Sequence, residues 1–395
     1  MMNYIFKFLF IAVAGLFVSC RFGTDDKNGL INAYLLSNGN IVCNSKALKA
    51  YIISYENQQG RVPEQIALVE GTCMTLEHLP VLEDSGVYEF AGWYFNDKKI
   101  SVGYRVSSKM NLTAFYELKG DGHRFIEISD VENAGKTGLV PFRINAFETT
   151  FALWHSVYSW AVKRGYKFQN TGAAGSSGTT DKLDAFRYFP ATSMTPQDAI
   201  VWCNAYSEKV GLKPVYYEDE DFTKIIKDSS IITTGYPLKN PDGSIYYDSD
   251  GKEMIVSDGN LHNIYVDLTK NGYRLPTYDE WLYAAQGALR TEKDKNYKYS
   301  GSNTLEEVAS LGSYHAVGMY KPNGAGTYDQ TGNAAEFCLT DLTIGLYGAH
   351  YSNGTGNAAD VDKYYSLYGS SKNLCGIMNA YPQLCSFRYA QTIVK

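Results

Sequence analysis

Histidine is rare in this 395-residue chain, six residues that never cluster, and none of the seven cysteines forms a C-x-x-C pair. Those shortages argue against a structural zinc site, which draws closely spaced thiolate and imidazole ligands. No apolar run reaches the roughly 18 residues that a membrane-spanning helix requires. Neither sign of charge dominates: 36 Lys+Arg face 42 Asp+Glu, and the net −6 favours solubility and offers no basic surface for nucleic acid. With 45% hydrophobic and 20% charged residues, the chain is also too apolar for a disordered polyampholyte. Proline is sparse at 11, whereas tyrosine is abundant at 33, beside 36 glycines. Tyrosine supplies rigid amphipathic contact area suited to recognition surfaces, although sheets and cores use it too. At roughly 100–200 residues per domain, the length predicts two or three folded units.

The first twenty residues address the compartment. Lys7 supplies a basic start, Phe8 to Leu16 form an apolar run of nine, and Phe17-Val18-Ser19-Cys20 ends it. A small residue directly before a cysteine resembles the lipobox of bacterial lipoproteins, with Phe17 where Leu is usual. The resemblance implies a signal peptide over 1–19, lipidation of Cys20, and a mature chain exported and anchored at the outer membrane or cell surface. An ordinary cleaved secretory signal is the alternative. Residues 20–46, with Asp25, Asp26 and Lys27, then form a tether. Cys43, Cys73, Cys203, Cys338, Cys375 and Cys385 remain, and an exported chain can oxidise them. Cys375 and Cys385 are the most local pair, but spacing does not settle the pairing. Cys203, inside an apolar helical pattern, reads as a small buried hydrophobe.

From about residue 47 to 120 the chain reads as short strands and turns, with Tyr51-Ile52-Ile53-Ser54-Tyr55 and Leu112-Thr113-Ala114-Phe115-Tyr116 alternating. Phe90-Ala91-Gly92-Trp93-Tyr94 followed by Leu112-Thr113-Ala114-Phe115-Tyr116 resembles the Listeria–Bacteroides repeat, a small β-grasp-like module of bacterial surface proteins. That resemblance implies a spacer or adhesion unit in which Phe90 and Trp93 are core.

Beyond Gly120 helices replace strands. Thr149 or Thr150 precedes Phe151, Trp154, His155, Tyr158 and Ala161, whose 3–4 spacing predicts an amphipathic helix ending near Gly165. A second helix starts at Thr195-Pro196, carries Ala199, Trp202, Cys203 and Tyr206 on one stripe, and stops at Gly211. A third opens on the capping box Thr277…Glu280 and runs through Trp281, Ala284 and Ala285 to Gly287. Between them, residues 240–251 read as a hairpin with D-G turns. Asp242, Asp248 and Asp250 lack the full spacing of a calcium loop there and read as a solvated turn. Ala173 to Gly178 reads as a mobile loop.

Six ordered blocks carry a second resemblance: Ala152-Leu153-Trp154, Asp198 to Asn204, Gly272-Tyr273-Arg274-Leu275-Pro276-Thr277, Glu280-Trp281 with Ala284-Ala285, Gly332-Asn333, and Phe387-Arg388. In this order they resemble the formylglycine-generating-enzyme, or sulfatase-modifying-factor, domain. The resemblance implies an α+β chain whose residues 121–395 adopt a C-type-lectin-like fold, preceded by the β-grasp-like module. Enzymes of that family need two cysteine thiolates about five residues apart to bind copper(I), for which soft ligands are apt. The stretch 360–371, where that pair would fall, has no cysteine, and Cys375 and Cys385 are ten apart. The six histidines, His78, His123, His155, His262, His315 and His350, are too scattered for the iron-dependent relatives. No catalytic residue is therefore assigned, and fold alone does not carry function.

What remains is the fold used for binding. Residues 344–395 hold seven tyrosines where the chain-wide frequency gives about four, and six charged residues where it gives about ten. Enrichment in Tyr, Ser, Asn and Gly with depletion of charge is the composition of antibody-like contact surfaces. The same domain resembles the variable proteins of diversity-generating retroelements, whose diversified positions lie in the C-terminal part of this fold before an F-R strand. Gly348-Ala349-His350-Tyr351 stands where G-G-S-W is usual, and Ser386-Phe387-Arg388 where G-F-R is. Randomised Asn codons yield Tyr, Ser, His, Asn, Asp, Gly or Cys, never Lys, Gln, Glu, Met or Trp. The resemblance thus implies variable positions at Tyr347, His350, Tyr351, Asn353, Tyr364, Tyr365, Ser366, Tyr368, Ser370, Asn373, Asn379 and Tyr381, within a region of about 344–388. Lys372, Met378 and Gln383 fall outside that codon set, and Cys375 within it.

One structural ion is implied as well. Asp329, Gly332, Ala334 and Glu336 stand at the steps of a family calcium site, and oxygen ligands suit a hard cation. Ala335 and Phe337 replace the usual aromatic pair, and an internal hydrogen bond at Glu336 is the competing reading. No cofactor is needed for recognition itself. The sequence thus points to a lipid-anchored, non-catalytic surface protein binding an unidentified protein or cell-surface ligand, against an exported copper oxidase or a fixed-ligand adhesin. The carbohydrate motifs E-P-N and W-N-D are absent.

Overall fold

The structure is a computed structural model. It describes residues 12–13, 16–17, 33–35, 40–43, 46–57, 61–96, 98–131, 139–175, 186–247, 251, 253–256, 260–291, 293–310, 312–340, 343–349 and 382–394. The chain divides into two compact units, Met1–Lys119 and Gly120–Lys395.

The first unit is a sheet of β1 (Ala33–Leu35), β2 (Asn40–Cys43), β3 (Lys46–Glu56), β4 (Ile66–Val69), β5 (Tyr88–Phe95), β6 (Lys98–Lys99) and β7 (Met110–Leu118) in the order β1-β2-β3-β7-β5-β6, with β4 also on β3. Alternation in the sequence becomes two faces. Ile53 and Tyr55 of β3, and Met110, Leu112, Tyr116 and Leu118 of β7, are buried, while Asn111, Thr113 and Glu117 are exposed. β3 and β7 run parallel, with Ile53 beside Met110 and Tyr55 beside Leu112, and β5 pairs antiparallel with β7 across a bulge between Phe90 and Gly92. Trp93 anchors the core. The Tyr55 ring meets it edge-on at 5.0 Å and Phe90 at 5.7 Å, and its indole N–H donates to the Pro80 carbonyl at 2.8 Å. Phe90 is half-buried.

In the second unit the three local helix signals each become a capped helix. Thr150, not Thr149, caps α1 (Phe151–Val162), its hydroxyl accepting from the Leu153 N–H. Thr195 caps α2 (Pro196–Lys209) in a capping box closed by Asp198, and Thr277 caps the later α3 (Tyr278–Ala285) in one closed by Glu280. Asp198 also accepts from the Gln169 N–H, the Asn170 amide and the Ser229 hydroxyl, so one buried carboxylate fastens the cap to two loops. The stripes of α1 and α2 meet at Trp154 and Trp202, whose rings stack 6.0 Å apart with Phe387 edge-on to both. Gly172 (φ 76°) is required beside them, because a Cβ there would lie 2.4 Å from the Trp154 indole nitrogen.

A four-stranded antiparallel sheet runs β8 (Phe125–Ile128), β9 (Phe142–Asn145), the C-terminal strand Ala390–Thr392 and β10 (Tyr273–Arg274). The last strand lies between β9 and β10, so the start and end of this unit pair directly. A three-stranded sheet places β11 (Ala335–Thr340) between β12 (Thr343–Tyr347) and β13 (Cys385–Ser386), antiparallel to the first and parallel to the second.

Ala173 to Gly175, expected as part of a mobile loop, are buried, and Ala173–Ala174 pairs with Ala191–Thr192. Two small side chains permit that close approach. At the hairpin the Asn240 N–H donates to the Ser244 carbonyl and Asp242 accepts from the backbone and hydroxyl of Ser244, while Asp248 and Asp250 lie outside the described residues.

Candidate functional site

The implied calcium residues converge on a fully buried cluster. Glu336 leaves β11 inward, and Arg388 comes from the segment after β13; both are 0% exposed. They pair in two bonds, Nε to Oε2 at 2.6 Å and Nη2 to Oε1 at 2.7 Å, and the Trp281 indole donates to Oε2 at 2.9 Å. The other guanidinium hydrogens reach the carbonyls of Asn145, Ala146 and Tyr328 at 2.8–3.2 Å. All five donors of Arg388 are thereby used.

Glu148 sits beside this pair. One carboxylate oxygen accepts from the Asn333 side-chain amide at 2.6 Å and the other from the Ala334 N–H at 2.9 Å, and the His315 backbone N–H donates to Asn333 Oδ1. Asp329 accepts from the Gly318 N–H at 2.6 Å through Oδ2, while its buried Oδ1 has no protein partner. Burial, then the charges of Asp329 and Glu336, push the Glu148 carboxyl well above the usual range; burial raises Asp329 likewise.

Glu336 is not available to calcium. Asp329 offers a partnerless oxygen, but the Glu336 carboxylate is spent on Arg388 and Trp281. Among the described residues, no three His, Cys, Asp or Glu side chains gather where an ion could sit. At Glu336 the charge is met by a guanidinium, and the internal hydrogen bond holds.

The described thiols of the second unit are equally closed. Cys203 and Cys338 are buried and unbridged, Cys385 is buried, and Cys73 is exposed in the first unit. Burial pushes the Cys385 thiol up to about 12 and raises Cys203 and Cys338 as well, so none is a ready thiolate. Cys375 lies outside the described residues, as do Cys20, His350, Tyr351, Asn353, Tyr364, Tyr365, Ser366, Tyr368, Ser370, Asn373, Asn379 and Tyr381.

Of the twelve implied variable positions, Tyr347 alone is described. It is half-buried at the end of β12, its ring stacked 4.2 Å from Tyr278 of α3 and 5.9 Å from Trp281. Gly348 (φ 90°) and Ala349 (φ 60°) follow, and the Gly332 N–H donates to the Gly348 carbonyl at 2.6 Å. The strand bearing Tyr347 is thus tied to the loop that leads into Glu336. Gln383, outside the codon set, accepts from the Tyr314 hydroxyl at its backbone carbonyl.

Sequence reasoning missed Glu148 and the pairing of Arg388 with Glu336. Phe387-Arg388 was visible as a motif, but no local pattern joins Glu148 to Asn333, 185 residues away.

The model of the sulfatase-modifying factor enzyme 1-like domain matches residues 117–379. A relative described as chaperone protein LppX, from Paenibacillus barcinonensis, is 32% identical over 171 residues, which are 38% of this chain and 51% of the relative. The chain thus spans about half the length of that curated relative. Among solved structures, CarF is 22% identical with a TM-score of 0.47, covering 66% of this chain and 90% of its own. Treponema denticola variable protein 1 is 21% identical with a TM-score of 0.39, covering 82% and 99%. PvdO from Pseudomonas aeruginosa is 13% identical with a TM-score of 0.35, covering 64% and 81%.

Proposed function

We propose, from the premise that the chain belongs to the sulfatase-modifying factor enzyme 1-like domain family, that this member binds a protein or cell-surface ligand and performs no redox chemistry. The observation that carries the reading is the state of the thiols. The three described cysteines of the second unit are buried and their thiols raised, so none resembles the soft pair that copper(I) demands. Tyr-, Ser-, Asn- and Gly-rich composition over residues 344–388, poor in charge, supports a contact surface in their place. In this reading Cys20 carries lipid, the tether expected over 20–46 is shorter because Ala33–Leu35 and Asn40–Cys43 are strands of the first unit's sheet, that unit is a repeat-type spacer, and the surface is diversified by a retroelement. Among the described residues no helix is long and apolar enough to cross a membrane.

The neighbouring DNA provides the test. A reverse transcriptase gene and an adenine-rich template matching codons within 344–388 are expected, with variation confined to adenine positions. A template matching elsewhere, or none, overturns diversification. Purified protein incubated with copper and a cysteine-containing peptide is expected to leave the thiol intact; formation of an aldehyde overturns the non-catalytic reading. The description of the LppX relative as a chaperone favours a second reading, in which the surface holds a client protein. Suppressed aggregation of an unfolded test protein, with no codon variation, would select it.

A further inference from the structure

Tyr347 is placed among the interchangeable positions by its codon alone, and its surroundings say otherwise. The ring lies back along its own strand over Gly345, where a Cβ would fall 2.4–2.7 Å from two ring carbons and the hydroxyl oxygen. Only a residue without a side chain leaves that floor open. Its other neighbour is Tyr278, in the first turn of α3, with ring centroids 4.2 Å apart and planes at 27°, and Trp281 one turn on closes the side at 5.9 Å. Trp281 is itself 2% exposed and bonded to Glu336, so the shelf stands on the buried ion pair. A glycine and a tyrosine of one strand and two residues of one helix, from two parts of the sequence, thus build one aromatic stack.

We infer that Tyr347, with Gly345, Tyr278 and Trp281, forms a fixed aromatic shelf at the edge of the binding surface and is a positioning residue, so that interchangeable positions begin after it. The inference rests on the binding reading proposed above, but its physical core does not. Serine, asparagine or aspartate at 347 would leave Tyr278 unstacked and the space over Gly345 empty, a loss of aromatic packing.

Two measurements test it on the full chain carrying Cys20→Ser. In thermal melts, Tyr347→Ser and Tyr278→Ala are each expected to lower the midpoint of the second unit by roughly 2–8 °C. The double variant is expected to lose clearly less than the two shifts added, because one contact cannot be removed twice. Tyr347→Phe keeps the ring and is expected to restore the midpoint. An unchanged midpoint in Tyr347→Ser, or strict additivity, overturns the shelf. Should Tyr347→Ser fail to fold, the Tyr347→Phe and Tyr278→Ala melts still decide, since midpoints equal to each other and to the parent would leave the stack without effect. The second measurement is allelic sequencing: codon 347 is expected to stay Tyr while codons between 350 and 381 change. If codon 347 changes along with them, the shelf falls and the binding reading stands. If no codon changes, diversification falls, and the melts judge the shelf independently.

Discussion

The two units handle charge differently. Among the described residues of the unit ending at Lys119 the ion pairs lie in solvent: Lys49 and Glu70 meet at 3.1 Å with side chains 58% and 46% exposed, and Lys119 lies between Asp84 and Glu89. Among the described residues of the unit beginning at Gly120, similar surface pairs accompany two interior ones. Arg274 grips Glu280, and Arg388 grips Glu336, with side chains at most 4% exposed. Exposed pairs gain little, since water and salt screen them and two long side chains must be held still. Interior pairs add little net stability against an apolar substitute, but breaking one strands a charge. The first unit therefore depends on its apolar core around Trp93, whereas the second is committed to one arrangement by charges that have nowhere else to go.

That contrast breaks first at Arg388. Arg388→Ala is expected to cost about 3–5 kcal/mol by leaving Glu336 buried alone, read as a shift of the second unit's denaturation midpoint. Arg388→Met with Glu336→Leu should cost less than Arg388→Ala, and a double variant that is worse would show the pair to be a net stabiliser. Lys49→Ala, its surface counterpart, should leave the first unit's midpoint where it was. Trp93→Ala is expected to cost that unit about 3–5 kcal/mol, through lost burial and the cavity left behind, without moving the second transition.

Proton linkage sharpens the comparison further. Glu148 binds its proton more tightly folded than unfolded, so its contribution is full at acid pH and is lost as pH rises through its raised value. His123, held by the hydroxyls of Tyr389 at 2.7 Å and Tyr206 at 3.1 Å, has its protonation disfavoured by burial. Its contribution is present above the ordinary histidine range, near 6.5, and is lost as pH falls through the lowered value. Melts across pH should therefore show the second unit weakening on both sides of a maximum, with the alkaline limb flattened in Glu148→Gln. A flat profile in the parent chain would remove the linkage. The smallest effect is expected at Ala349, whose φ of 60° lies in the left-handed region where glycine is at ease; Ala349→Gly should stabilise by up to about 1 kcal/mol.

Legibility followed distance along the chain. Thr195-Pro196 and Thr277…Glu280 announced their helices because a cap bonds to residues two or three positions away, and the stripe through Trp202 announced its buried face by the helical period. Trp93 was recognisable as core from its F-x-G-W-Y setting. At Glu336 both a calcium and an internal hydrogen bond were legible, because motif steps record which oxygens stand in order, not which cation reaches them. Tyr347 was grouped by its codon with positions whose side chains change freely, and only the open space above Gly345 and the Tyr278 ring reveals its packing.

From its residues alone the chain declared its family, its three capped helices, the missing thiolate pair and the tyrosine-rich, charge-poor C-terminal composition, all written in order or in local spacing. Tertiary structure decided that Arg388 meets the Glu336 charge, that Glu148 clasps Asn333 and Ala334, and that Tyr347 lies flat against Tyr278. Those contacts join residues tens to hundreds of positions apart, and burial away from water is what makes each partner obligatory.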